Sequence, residues 1–83
     1  MKILIIDKDI TSCYYYMVLM ETLSNSVLLA LNGKMAKDLI SCIDFDIIIS
    51  DIYFPDVNGI TLMEDLMNIR PEAILIIQTS NVF

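Results

Sequence analysis

The stretch Asp46-Ile47-Ile48-Ile49-Ser50-Asp51-Ile52-Tyr53-Phe54-Pro55-Asp56-Val57-Asn58-Gly59 decides the fold. Three successive isoleucines between Asp46 and Ser50 have no polar alternation, which suits a strand buried on both faces. Pro55 through Asn58 are turn formers, and Asn58 stands where it can cap a helix from Gly59 to about Ile69. Arg70-Pro71 ends that helix, because the residue before a proline is driven out of the helical region.

On either side of it the same unit recurs. Ile3–Ile6 is an apolar run ended by charge, and Ile74–Ile77 is another. Val27–Leu31 reads as a strand closed by the turn pair Asn32-Gly33. Between them, Thr11–Ser24 lacks Gly and Pro and suits a helix capped by Thr11 or Ser12. A short helix from Lys34 to about Ser41 carries Ala36, Leu39 and Ile40 on one side. Strand and helix alternate three times before a final strand, the pattern of a parallel α/β sheet with right-handed crossovers. Cys13 and Cys42 are expected as small core residues, and Met35, Met63 and Met67 as gap-fillers on helical faces.

Composition narrows the function. The 83 residues allow one domain with a thin core. Apolar residues reach 57% and charged residues only 19%, more oily material than a chain this short can hide alone. Eleven acids against five bases give a net charge of −6, which repels phosphate backbones, so nucleic acid is not an expected partner. The absence of histidine removes imidazole catalysis and imidazole metal ligands. Two cysteines are too few for a disulfide framework or zinc cluster. The apolar start is too short for a signal peptide or membrane span, so a cytoplasmic protein is expected.

In open parallel sheets the working crevice lies beyond the carboxyl ends of the strands. The residues delivered there are Asp7, Lys8, Asp9, Asp51, Thr79 and Ser80. Acids crowded at one edge raise one another's pKa unless a cation neutralises them, and oxygen-only ligands suit Mg²⁺. A carboxylate so held can act as nucleophile toward a phosphoryl group, with a hydroxyl nearby to bind the transferred oxygens.

These residues resemble the receiver domains of two-component response regulators. Lys2-Ile3-Leu4-Ile5-Ile6-Asp7 is similar to that family's first strand and acidic pocket, and Asn32-Gly33-Lys34 to its turn into the second helix. Asp46 to Gly59 resembles its third strand, phospho-acceptor and Pro…Gly loop. Arg70-Pro71-Glu72 with Ile74–Thr79 is similar to its fourth strand and switch hydroxyl. The resemblance implies a flavodoxin-like three-layer α/β fold, βαβαβαβ with strand order 2-1-3-4, as one receiver-like domain over residues 1–83. It implies that Asp51 accepts phosphate from a histidine kinase, a phosphotransfer protein or a small phosphodonor. It further implies Mg²⁺ held by Asp7, Asp9, Asp51 and the backbone carbonyl of Tyr53, with Thr79 as the switch hydroxyl. Beyond self-phosphorylation and autodephosphorylation, no enzymatic activity is implied.

The chain departs from that pattern at two places. Lys8 stands where the family carries a metal-binding acid, and its ammonium is a candidate substitute for the cation's charge. The sequence given ends at Phe83, so the expectation is a domain truncated after the fourth strand, without the later lysine. Ile47–Ile49 and Ile74–Ile77 would then be uncovered on one face. With the oily first helix (Tyr14 to Met20), that surface predicts a homo-oligomer. The alternative is a degenerate pseudo-receiver that docks or dimerises without taking phosphate. Asp7-Lys8-Asp9-Ile10-Thr11 also resembles the opening motif of haloacid-dehalogenase-type phosphatases, but that likeness leaves Asp51–Gly59 unexplained.

Overall fold

Seven elements follow one another as the alternation predicts: β1 (Lys2–Ile6), α1 (Ile10–Glu21), β2 (Ser26–Ala30), α2 (Gly33–Cys42), β3 (Ile47–Ser50), α3 (Gly59–Ile69) and β4 (Ile74–Ile77). The computed structural model describes residues 1–22, 25–54 and 56–78, and all side chains within them except those of residues 10, 12, 13 and 16. The strands form one sheet in the order β2-β1-β3-β4. Every pairing is parallel, with Ile6 opposite Ala30 on one side and Ser50 on the other, and Ser50 opposite Ile77.

Strand alternation divides the core into two layers. Leu4, Ile6 and Ile48 point to the face covered by α2 and α3, where they meet Ala36, Ile40, Leu62, Met63 and Leu66. Ile3, Ile5 and Ile49 point to the opposite face and are packed by Met20, Val27, Leu29, Leu31 and Ile47. Because β1 is central, its four residues Ile3–Ile6 are at most 2% exposed. Fully burying each such side chain is worth about 1.5–3 kcal/mol, which is why a strand with no polar alternation is stable only here.

Covering is uneven on the second face. Helix α1 packs over β1 and β2, while Ile74 and Ile76 of β4 remain 58% and 46% exposed. Uncovered apolar surface was expected on both β3 and β4. It falls mainly on β4: Ile49 is only 8% exposed between β1 and the edge strand, and Ile47 at the start of β3 is half-buried. Leu75, on the other face of β4, packs against the first core layer.

Several local expectations are corrected. Helix α1 is capped by Asp9, not by Thr11 or Ser12: Asp9 has extended backbone, and its carboxylate accepts a 3.0 Å hydrogen bond from the Thr11 amide. A carboxylate suits the partial positive charge of a helix N-terminus better than a hydroxyl does. Strand β2 is shifted one residue toward the N-terminus, in the register that pairs Lys2 with Ser26. Cys42 is exposed rather than in the core. The inward stripe of α2 is Gly33, Ala36 and Ile40, and a residue two places beyond Ile40 is carried about 200° round the helix. The Cys13 side chain lies outside those described. Met63 fills the core as expected, whereas Met35, one residue before the stripe, is exposed.

Candidate functional site

The register delivers Asp7 and Asp51 to the same edge of the sheet. Each lies one residue beyond the pair Ile6–Ser50 that closes the β1–β3 ladder. The Asp51 amide continues that ladder by donating to the Ile6 carbonyl at 3.0 Å, and the Asp7 amide donates to Ala30 at 3.0 Å. The two carboxylates therefore grow from adjacent, hydrogen-bonded backbones.

Asp51 is only 5% exposed, one of two buried polar residues among those described. Its Oδ1 accepts from the amides of Ile52 at 2.6 Å and Tyr53 at 3.2 Å. These two bonds fix the plane of the carboxylate. No described donor reaches Oδ2, and no buried side-chain oxygen is left without a partner among the described residues. Oδ2 is therefore the oxygen that reaches solvent.

The loop after Asp51 is held from two sides. Gly59 is required there because a Cβ at that position would overlap the carbonyl of Ile52. Asn58 caps α3 through hydrogen bonds from Ile60 at 3.0 Å and Thr61 at 3.1 Å, and an isolated antiparallel bridge ties it to Tyr53. From the other side, Asp56 accepts from the amides of Gly33 at 3.0 Å and Lys34 at 3.2 Å, at the start of α2. The Gly33 amide in particular holds the Asp56 carboxyl below the ordinary carboxylate range, against a smaller opposing effect of desolvation. Sequence reading missed this lock. Asp56 stood out only as a turn residue, and nothing local points it 23 residues back along the chain.

The remaining candidates separate. Asp7 Oδ1 accepts from the Asp9 amide at 2.9 Å, and Asp9 uses one oxygen to cap α1. Lys8 lines a cleft with Ile52, Tyr53, Phe54, Asn58 and Ile60. Thr79 and Ser80 lie outside the described residues. Among the described residues no three His, Cys, Asp or Glu side chains gather as metal ligands. Asp7 and Asp51 stand at one sheet edge, and a pair of carboxylates is a hard-oxygen donor set that suits a divalent cation keeping most of its own waters. A second hollow, lined by Asp44, Asp46, Arg70 and Glu72 among others, lies at the opposite end of the strands and does not face these acids.

Comparison with known proteins agrees with this geometry. A protein-glutamate methylesterase/protein-glutamine glutaminase 2 of Shewanella oneidensis is 33% identical over 78 residues, which cover 92% of this chain and 22% of that protein. The chain thus spans about a fifth of that curated relative. Among solved structures, a CheY-like response regulator receiver domain protein from Methanospirillum hungatei superposes with a TM-score of 0.93 at 26% identity, covering 99% of this chain and 66% of that one. A response regulator from Burkholderia pseudomallei, crystallised with a phosphorylated aspartic acid, calcium ion and citrate, gives 0.92 at 22% identity, covering 98% of this chain and 48% of that one. At that identity the second likeness speaks for the fold. The response regulator receiver domain family matches residues 3–82, including the Asp51–Gly59 segment that a phosphatase reading leaves unexplained. With four parallel strands in the order 2-1-3-4 and an acid at the end of β3, this chain belongs to the receiver domains of two-component signalling.

Proposed function

We propose that the domain accepts a phosphoryl group on Asp51 and passes the signal on through protein contacts. The observation that carries this reading is the division of labour within the Asp51 carboxylate: Oδ1 is pinned by two backbone amides while Oδ2 faces solvent. A lone pair of Oδ2 attacks phosphorus in line with the donor, forming a P–O bond and an acyl phosphate. The bond from phosphorus to the donor nitrogen or oxygen breaks, and the donor departs with the electron pair and takes its proton from solvent. A histidine kinase, a phosphotransfer protein or a small acyl phosphate are donors of the required type. The pinned oxygen supplies alignment, which is where phosphoryl transfer gains most.

Asp7, Asp51 and the carbonyl of Tyr53 would hold a magnesium ion, whose charge offsets that of the phosphoryl oxygens when it is bound. Thr79 is proposed as the hydroxyl that meets the phosphoryl group. The test is incubation with Mg²⁺ and acetyl phosphate, read by intact mass. The parent should gain the mass of one phosphoryl group and Asp51→Asn should not. An unlabelled parent, or a labelled Asp51→Asn, overturns the proposal.

A second reading rests on the surface. Tyr14, Tyr15, Val18 and Leu19 on α1 and Ile74 and Ile76 on β4 are all exposed. We infer that this surface associates with a second copy, and that a pseudo-receiver without phosphate chemistry would act through it alone. Light scattering separates the cases: a dimer that forms equally with Asp51→Asn supports a docking unit, and a monomer at all concentrations ends the inference.

A further inference from the structure

Helix α2 has no acid of its own in its first turn, so its leading amides need oxygens from elsewhere. Asn32 serves the later ones: its side chain accepts from Met35 at 2.9 Å and its carbonyl from Ala36 at 3.2 Å. The two amides before them, Gly33 and Lys34, donate to separate oxygens of Asp56 at 3.0 and 3.2 Å. The cap is thus completed from outside the helix, by the loop that follows Asp51. The helix backbone makes this contact rather than a lysine head, since the Lys34 ammonium pairs with Asp38 at 3.2 Å. Apolar packing supports it independently. Val57, next to Asp56, lies so close over Gly33 that a Cβ there would overlap it, and Phe54 and Val57 both pack against the first core layer.

We propose that Asp56 is a positioning residue for Asp51: by docking the loop on the start of α2, it holds the Ile52 and Tyr53 amides where they pin Oδ1. This rests on the reading of Asp51 as phospho-acceptor. The route between the two acids is short. Tyr53 is tied to Asn58 by one isolated bridge, and Asp56 lies on the segment between them. A single bridge lets that segment pivot about its base at α3, whereas a grip by two carboxylate oxygens on a second helix removes the pivot, because paired hydrogen bonds to a charged group fix geometry as well as add energy. Without the grip, the amides that set the carboxylate plane sample other orientations. Oδ2 then meets phosphorus out of line, a misplacement to which phosphoryl transfer is sensitive.

The test compares Asp56→Ala and Asp56→Asn with Asn32→Ala, which removes a different acceptor from the same helix end. Two readouts are taken: the amide resonances of Ile52 and Tyr53, and the rate of labelling by acetyl phosphate with Mg²⁺, followed by intact mass. Circular dichroism verifies folding, and Asp56→Asn, which keeps one acceptor oxygen, carries the comparison if the alanine variant unfolds. Labelling should slow by at least about fivefold in Asp56→Ala and by less in Asp56→Asn. Both should shift the Ile52 and Tyr53 resonances. Asn32→Ala should keep the parent rate and the parent positions of both resonances, whereas a merely structural cap would make it as slow as Asp56→Ala. Asp56 variants that label at the parent rate, or that leave both resonances in place, overturn the proposal, and so does an Asn32→Ala protein slowed as much as Asp56→Ala. A parent that never labels defeats the phospho-acceptor reading instead, and the resonances alone then decide whether Asp56 holds the loop.

Discussion

Gly59→Ala is the sharpest test of how the Asp51 loop is built. The added Cβ would overlap the Ile52 oxygen and lie 2.6 Å from its carbonyl carbon and 3.1 Å from its Cα, where ordinary contact begins at 3.4 Å. All three atoms are backbone, so no rotamer change relieves them. Overpacking of this kind costs about 1–3 kcal/mol. Moving Ile52 also disturbs its amide and that of Tyr53, both bonded to Asp51 Oδ1, at about 1 kcal/mol each. Alanine's lower unfolded-state entropy returns less than about 1 kcal/mol. The net loss is about 2–4 kcal/mol, against about 4–12 kcal/mol available to a chain of this length. At about 4–8 °C per kcal/mol, thermal melting by circular dichroism should fall by more than about 8 °C. Gly33→Ala is the control. Its Cβ meets the side chain of Val57, with Cγ1 at 2.9 Å, and a side chain in a loop can yield, so a smaller loss is expected. A Gly59→Ala protein that melts with the parent, or above Gly33→Ala, would refute the account of the loop.

The folded Asp56 carboxyl titrates below its unfolded value, so its stabilisation is complete above about pH 4 and is lost as pH falls through the folded pKa. Denaturant midpoints should drop less steeply toward acid in Asp56→Asn than in the parent; parallel acid limbs would remove Asp56 from the explanation. Asn58→Ala deletes the acceptor shared by the Ile60 and Thr61 amides and should cost about 1 kcal/mol in urea unfolding, an effect that restoring Asp or Ser at 58 should largely reverse. Leu66→Ala empties a fully buried site and should cost about 2–5 kcal/mol, whereas Ile60→Ala, 61% exposed on the same helix, should change stability by less than about 0.5 kcal/mol.

Much of the architecture is legible in the sequence. Runs such as Ile3–Ile6 and Ile47–Ile49 can be satisfied only where both faces of a strand are covered, so they announce a parallel sheet between helices. Asn58 followed by a Gly-led helix announces its cap for a similarly local reason, since the donors it satisfies lie within three residues. The placement of Asp7 and Asp51 at one edge also followed, because each ends such a run.

Other features depend on which distant segments meet. Asp9 and Asp7 look alike in sequence, but the path from β1 into α1 makes Asp9 the helix cap. Asp56 reads as a turn residue until packing brings the start of α2 within reach of its oxygens. Cys42 and Met35 read as core material until the inward stripe of α2 is fixed by Ala36 and Ile40. The chain alone determined the elements, their order and the carboxyl-edge acids, since hydrophobic period and strand-end charge are properties of neighbours in sequence. Tertiary packing decided which acids cap, which lock the loop and which oxygen of Asp51 stays open, because hydrogen-bond partners across the fold depend on register and crossover geometry that no local pattern encodes.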